Sequence, residues 1–543
     1  MFSDPVVGDR FFGRSKALGL LSKRVNALKD GYRQNIAIVG PRLTGKSSLI
    51  LQSFSGFSHP KIISIYVDLR VNSFSHFGYK FLGTLLYHYL KNKNLDIPED
   101  LKVLKEVAQN YIPKTVKLIC AVEGDIKNLL FERAYQNLLR LTSVFKQESD
   151  ISCIVILDEF HLLNTFKINA PFSGLAREIM MQKDTMYVIS SSQVTYAKKI
   201  LAGELLLLFG NFEIIQLQPF DYATCCEFLK KRFPDINLPK NLADFLIAFS
   251  EGHPFYLDIL SNKLKEKARE LNKTEISHNL LAQALNSLIY DSKGILNQYF
   301  TSILGHNLNG ADYSNFLPIL LSASARGCKL SDMSKLANRH PRIISKQIER
   351  LLDEDLLSKV GVFYRIQDKI FRFWLKSAYQ KKRLSLAADP ASESMEFCSE
   401  IENQILVFSQ ETKKKLSERV INLFKSFENE IILIQNKLFK FPQFDEVRLW
   451  PKPDLTDCII ARYKDGYWAC MVKEEGEITE AQIQRFYEYC KKAKCKIRRA
   501  IIICCKELDL NVRLLALEKK VWIWSLPELN LLFDLYGKQQ IAS

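Results

Sequence analysis

Across the first 220 residues, short β-branched runs that close on polar residues alternate with longer stretches of helical periodicity. The runs at 35–39, 62–69, 153–157 and 186–189 are too short for helices and predict buried strands, and the run at 214–217 closes the same core. Residues 74–147 carry apolar positions at helical spacing. Ahead of the first strand, Ala17-Leu18-Gly19-Leu20-Leu21 predicts an amphipathic helix. An α/β core with a parallel sheet is the expected outcome.

After Pro219-Phe220 the rhythm turns helical from Asp221 to about residue 308, interrupted at Glu251-Gly252-His253-Pro254. Residues 309–380 read as a winged helix: helices at 316–322, from 330, and at 342–352, then a strand pair at 357–360 and 362–366. Its third helix and the approach to it present Arg339, Arg342, Lys346 and Arg350, the charge that phosphates and base edges require. In related architectures such a module also serves as a protein contact. Residues 381–425 start with Lys381-Lys382-Arg383, pass through Ala387-Ala388-Asp389-Pro390, return to helix, and are expected to link the parts. The last segment, 426–543, places Phe427-Glu428-Asn429-Glu430-Ile431 on a helix, strands at 447–450, 457–463, 468–472 and 500–504, and a helix at 479–491.

Candidate chemistry concentrates at the ends of the early strands. Gly40-Pro41-Arg42-Leu43-Thr44-Gly45-Lys46-Ser47 fits G-x-x-x-x-G-K-[ST] at every fixed position, directly after one strand and before the helix opened by Ser48-Leu49-Ile50-Leu51. Gly40 and Gly45 let the backbone curl so that its N–H groups point at the β- and γ-phosphates of a nucleotide, ATP being the expected one. Lys46 adds a point charge there, and Ser47, in the first helical turn, can ligate Mg²⁺. The run at 153–157 ends in Asp158-Glu159, which puts two carboxylates in the crevice at the carboxyl edge of a parallel sheet. Asp158 can hold Mg²⁺ through its water shell, and Glu159 can orient the attacking water. The next strand ends in Ser190-Ser191-Ser192-Gln193, with Ser192 as the expected γ-phosphate sensor.

The 543-residue length calls for three or four domains, and 47% hydrophobic with 25% charged residues is ordinary globular usage. Short apolar runs and an N-terminus without a charged start and apolar core point to a cytoplasmic chain with no membrane partner. A formal charge of +16 suits either a polyanionic partner such as DNA or a generally basic surface. Twelve cysteines include no C-x-x-C pair, so zinc and disulfide frameworks are not expected, and Cys153, Cys458 and Cys504 sit in apolar runs where a thiol packs as a small hydrophobe.

Taken together, Phe12-Gly13-Arg14, the Walker A loop, Leu157-Asp158-Glu159, the serine-rich strand end, Gln216-Leu217-Gln218-Pro219-Phe220 and Gly252-His253-Pro254 resemble the archaeal-type ATPases of the STAND/AAA+ group over residues 8–380. The resemblance implies a P-loop AAA+-like core at 31–220 behind an N-terminal helix at 1–30, a helical lid at 221–308, and an ATP-driven switch in which Pro254 touches the nucleotide. One departure stands out. Where the group carries Gly-Arg after the fourth strand, this chain has Phe209-Gly210-Asn211, leaving Arg177 or another subunit to supply the charge for hydrolysis.

With Pro453-Asp454 and Lys473, residues 426–543 resemble the PD-(D/E)xK restriction-endonuclease-like fold, in which two carboxylates hold a metal and a lysine activates water. Here the key strand reads Cys470-Met471-Val472-Lys473, with methionine at the acid position. A thioether does not replace a carboxylate for a hard cation. Asp454 or Asp457 with Glu430 and Lys473 is left as a reduced site, Glu474 or Glu475 compensates only after a register shift, and a degenerate fold kept for binding or partner contact is the leading expectation. Three functions remain open on sequence: a slowly hydrolysing ATP switch with a nucleic-acid-linked output, an ATP-gated metal-dependent nuclease, and an ATP-binding scaffold that barely hydrolyses.

Overall fold

A computed structural model describes residues 4–71, 73–95, 98–206, 212–307, 311–384, 389–435, 437–452, 455, 457–464, 466–474, 476–506 and 508–541. The chain divides into two compact bodies, residues 1–220 with 353–355 and residues 221–352 with 356–543. Phe209-Gly210-Asn211, Ala387, Ala388, Asp454 and Glu475, invoked above, lie outside the described residues.

In the first body β1 (Ile36–Val39), β2 (Ile62–Asp68), β3 (Ser152–Asp158), β4 (Thr185–Ser191) and β5 (Glu213–Gln216) form one parallel sheet in the order β2-β3-β4-β1-β5. Parallel neighbours need long crossovers. They are supplied by α2 (Lys46–Phe54), by α3 to α6 (Phe74–Asn92, Leu101–Ala108, Pro113–Lys127 and Phe131–Ser149), by α7 (Pro171–Met181) and by α8 (Val194–Ala202), with α1 (Ser15–Lys29) leading in. Successive strand residues face opposite sides, so the sheet buries two cores. Ile36, Ile38, Ile154, Ile156 and Val188 pack with α1 and α2, while Val39, Val155, Leu157, Tyr187 and Ile189 pack with the helices of the other face. Burial on both sides is why these strands read as unbroken apolar runs.

The second body opens with α9 (Tyr222–Arg232), α10 (Lys240–Ser250), α11 (Pro254–Glu270), α12 (His278–Leu285) and α13 (Ile295–Asn307). Next come α14 (Ala311–Ala323), β6 (Cys328–Lys329), α15 (Leu330–Ala337), α16 (Pro341–Asp353), β7 (Leu357–Val360) and β8 (Phe363–Ile366), with the strands in the order β6-β8-β7. These are the three helices and hairpin that the pattern predicts. After α17 (Lys369–Trp374) and α18 (Gln380–Leu384), the stretch expected as a linker carries the 22-residue α19 (Pro390–Glu411). That helix is tied to the α12 region by Asn279 to Glu402 at 3.0 Å, Asn286 to Ser394 at 2.9 Å and Tyr290 to Glu393 at 2.6 Å. It is packed structure.

Beyond α20 (Leu416–Phe424), the helix expected through Ile431 is a strand, β9 (Glu430–Ile434), paired antiparallel with β10 (Lys437–Phe441). Ile431, Ile432 and Ile434 favour the extended form, and buried and more accessible positions alternate along it. A mixed sheet follows, ordered β11-β12-β13-β14-β15. It comprises β11 (Glu446–Leu449), β12 (Cys458–Tyr463), β13 (Gly466–Lys473), β14 (Ile497–Cys504) and β15 (Trp522–Trp524), with α21 (Glu480–Lys492) and α22 (Leu510–Glu518) as crossovers and α23 (Leu526–Leu535) last. The sequence reading contained neither β15 nor α22 and α23.

Buried charge joins these parts. Asp534 on α23 is 4% exposed and accepts from Arg365 at 2.7 Å and Arg372 at 2.5 Å. Burial opposes its ionisation, but the two guanidiniums outweigh that and hold its carboxyl down at about 2. At Gly361 the backbone has φ +66 and a Cβ would lie 2.1 Å from the Ile431 carbonyl, so the β7–β8 turn sits directly on β9. Removing one partner of a buried pair strands the others. Asp534→Ala should therefore cost about 3–5 kcal/mol, read from chemical denaturation, whereas a loss under about 1 kcal/mol would show that the network is solvated.

Candidate functional site

The loop from Gly40 to Ser47 leaves β1 and enters α2 with its geometry set by two glycines. A Cβ at Gly40 would stand 2.7 Å from the Leu217 carbonyl, and Gly45 caps α2 at φ +93, a left-handed conformation that side chains resist. Within the loop, Thr44 donates to the Pro41 carbonyl at 2.8 Å. Lys46, 4% exposed, donates to the carbonyls of Gly40 at 3.0 Å and Pro41 at 2.8 Å. Burial lowers its pKa, and the carboxylates of Glu159 and Asp158 work in the opposite direction. The ammonium is thus held by loop carbonyls that an incoming anion can replace.

Across the crevice, Asp158 ends β3 fully buried and serves as the common acceptor for three hydroxyls. Ser47 reaches its Oδ2 at 2.5 Å and Tyr66 at 2.9 Å, and Ser190 bonds its Oδ1. Desolvation and the facing carboxylate raise the Tyr66 pKa, so the phenol stays a donor. Strand order creates this convergence, because β3 lies between β2, which carries Tyr66, and β4, which carries Ser190.

Glu159 adopts φ 58 and turns its side chain toward the end of β4. Its Oε2 accepts from the Ser192 backbone N–H at 2.7 Å and lies 3.5 Å from His161 Nδ1, which is 2.9 Å from the Ser191 hydroxyl. Burial pushes His161 down to about 4, with Arg42 and Lys46 adding to the effect and Asp158 opposing it. The imidazole is neutral at pH 7.

The segment before α1 also closes on this loop. Val6 N–H donates to Ser48 at 2.8 Å, Gly8 N–H to Gln52 at 2.7 Å, and Arg14 to the Thr44 carbonyl at 3.2 Å. The Arg14 guanidinium lies 4.7 Å from the Phe220 ring centre, and Phe12 meets the same ring edge-on at 6.1 Å. Phe12, Arg14 and Phe220 form one aromatic and cationic cluster beside the loop.

The first body therefore brings together Gly40 to Ser48, Asp158, Glu159 and Ser192. The Ser192 contact is made by its backbone N–H, while the neighbouring side chains of Ser190 and Ser191 reach Asp158 and His161. Pro254 opens α11 in the second body. Of the cations read as a nucleic-acid face, Arg342 and Lys346 are exposed on α16, but Arg339 bonds Asn315 and Arg350 lies 5.3 Å over the Phe316 ring.

Of the nuclease-like set, Asp454 lies outside the described residues, Asp457 and Lys473 share one end of the C-terminal sheet, and each described member has its own structural partner. Glu430 is buried on β9 and bonds Tyr536 at 3.0 Å and Lys329 at 3.3 Å. Asp457 takes a 2.5 Å bond from Ser417 on α20, and Lys473 donates to Gln482 on α21 at 3.0 Å. Met471 is 1% exposed and packs among Cys458, Ile483 and Phe486. Among the described residues no group of three or more His, Cys, Asp or Glu is arranged to hold a metal, and no helix is long and apolar enough to cross a membrane.

Three participants went unread in the sequence: Tyr66, Ser190 and His161. His161 follows Asp158-Glu159 at a fixed two-residue offset, a spacing that could have signalled it. Tyr66 lies inside an apolar run and carries no local signal, and Ser190 belongs to the serine-rich strand end in which Ser192 is the expected sensor.

The strand order together with the loop defines the P-loop AAA+ ATPase fold. The Walker-type ATPase of Pyrococcus abyssi shares it at a TM-score of 0.50 and 16% identity, over 69% of this chain and 99% of that one. That likeness establishes fold alone. The ORC2 protein of Aeropyrum pernix, in ADPNP-ADP complexes, aligns at TM-score 0.43 and 12% identity over 75% of this chain and 98% of that one. The RuvB Holliday junction branch migration motor of Thermotoga maritima aligns at 0.33 and 14% over 69% and 99%. No family model and no curated protein matches the sequence.

The buried imidazole gives this site a pH signature. His161 titrates at about 4 in the folded chain against an ordinary 6.5, so between these values the unfolded chain binds the extra proton and stability falls as pH drops. His161→Gln should flatten that fall relative to wild type by up to about 3 kcal/mol, measured as unfolding free energy against pH. Identical slopes would mean that His161 gains its proton in the folded state as readily as in water.

Proposed function

We propose that the first body binds Mg·ATP and hydrolyses it slowly, as a switch of the AAA+/STAND type whose output involves nucleic acid. The observation that carries this reading is the 2.5 Å bond from Ser47 to Asp158, which joins the first turn of α2 to the acid at the carboxyl edge of β3. Mg²⁺ takes one or two protein oxygens besides phosphate and water, and a serine hydroxyl with one carboxylate is such a pair. When bound, the ion neutralises charge on the β- and γ-phosphates.

The chain's own groups supply the rest. Lys46 exchanges two carbonyls for phosphate oxygens, and the backbone N–H groups of the loop and the N-terminus of α2 face the same anion. Glu159 orients the attacking water once it leaves the Ser192 N–H, and the neutral His161, held by Ser191, stands 3.5 Å from that carboxylate. Phe12, Arg14 and Phe220 offer the base a wall, with Pro254 assigned to the same ligand from the resemblance alone.

A gated nuclease is the weaker reading, because Glu430, Asp457 and Lys473 each serve a separate structural partner. ATP binding and turnover by purified full-length chain test the proposal. Lys46→Ala should lose tight Mg·ATP binding, and Glu159→Gln should keep binding while turnover falls about 10²–10⁴-fold. A folded Lys46→Ala chain that binds Mg·ATP as tightly as wild type would overturn the reading. Turnover compared with and without duplex DNA reads the nucleic-acid link.

A further inference from the structure

The C-terminal mixed sheet has two chemically different ends. Strands β13, β14 and β15 are parallel, so they begin at one end, and each crossover helix must bring the chain back there. α21 returns with Lys491 and Lys492 in its last turn, followed by Lys494, Lys496, Arg498 and Arg499 leading into β14, and all six are exposed. α22 returns to the same end with Lys519 and Lys520 before β15. The β12–β13 hairpin adds Lys464, because β12 is antiparallel to β13 and finishes where β13 starts. Among the described residues near these cations, Asp445 accepts from the Lys464 backbone N–H at 3.2 Å, Glu446 stands opposite Arg462, Glu488 lies 4.0 Å from Lys492 and Glu518 lies 2.9 Å from Lys519, fewer acids than cations.

The opposite end holds Asp457, Lys473, Glu474 and Glu477, at the start of β12 and the finish of β13. That end, where β14 also finishes ahead of Lys506, carries both signs, and the excess of cations stands at the end where β14 and β15 begin.

We propose that the end where β14 and β15 begin is a nucleic-acid-binding surface, taking the sugar-phosphate backbone of a polynucleotide. Its cations are held in place. Lys491 on α21 and Lys519 beyond α22 both lie over the Tyr487 ring, at 4.9 Å and 5.7 Å, which draws the two crossovers together. Arg499 lies 4.7 Å over Trp522. A Cβ on Gly466 would come within 2.5 Å of the Arg498 side chain, so the hairpin gives that arginine room only because it has no side chain there. Fixed cations beside aromatic rings suit a phosphate backbone with bases alongside. A lipid surface asks instead for one amphipathic helix with its cations along a polar face. Here the cations stand on a hairpin, a loop, strand starts and a helix end.

The surface is independent of the winged-helix cations and needs no nucleotide, so it stands or falls apart from ATP hydrolysis. The test uses full-length protein without ATP and a labelled mixed-sequence single strand or its duplex, with binding read by anisotropy at about 50 and about 200 mM salt. The Lys494→Glu, Lys496→Glu double variant should bind at least about tenfold more weakly than wild type, with a salt slope shallower by about 1.5–2. Its thermal midpoint and Mg·ATP binding should be unchanged. Affinity that survives this change and drops only in Arg342→Glu, Lys346→Glu overturns the proposal, as does binding to phosphatidylserine vesicles with none to nucleic acid.

Discussion

A carboxylate removed from water at the end of a strand is costly unless hydrogen-bond donors are brought to it. Asp158 meets this requirement with hydroxyls from three elements: Ser47 from α2, Tyr66 from β2 and Ser190 from β4. Each comes from a different place in the chain, and only the order β2-β3-β4-β1-β5 brings them to one point. The sheet is thus constrained by its chemistry as well as by its apolar faces. Slip any of the three strands by one residue and its hydroxyl or carboxylate turns toward the opposite core.

The same geometry explains which parts of the site could be read in advance. The loop at Gly40 to Ser47 announces itself because local backbone curvature, lysine and hydroxyl must sit at fixed spacing, and the Asp158-Glu159 pair because it closes an apolar run. Tyr66 and Ser190 act through strand adjacency, which one sequence does not print. Ser192 was chosen for a hydroxyl and contributes a backbone N–H, a group that every non-proline residue carries. The parallel α/β core was legible from its uninterrupted apolar runs. The C-terminal end is less legible: the few residues of β9 match either period, and only pairing with β10 decides between helix and strand.

In the second body, stability and communication depend on the same buried groups. Lys369 donates to the Ala248 carbonyl at 2.6 Å and to Gln540 at 2.9 Å, and Gln540 in turn meets Glu251 at 3.0 Å, immediately before the Gly252-His253-Pro254 turn. Two residues past that turn, Tyr256 bonds Asp368, whose carboxyl is raised to about 6 by burial. Both flanks of the turn are therefore fixed to α17 and to the chain's last described residues. Rotating α11 alone would break buried polar contacts at several kcal/mol in sum, so the helical region moves with the C-terminal domain or hardly moves at all.

That coupling bears on the C-terminal domain, whose resemblance to a nuclease lacks an acid at the key strand. Methionine at the expected carboxylate position is buried against Ile483 and Phe486, and the lysine beside it caps its own loop by donating to Gln482 and the Glu477 carbonyl. At the other end of the sheet stand the exposed cations Lys491, Lys492, Lys494, Lys496, Arg498 and Arg499. This domain is fastened to the helical region through Asp534, Lys369 and Gln540, and Gln540 in turn holds Glu251 ahead of the Gly-His-Pro turn. Parts joined in this way shift together, and a ligand moves such a body only by the difference in its affinity for the body's states.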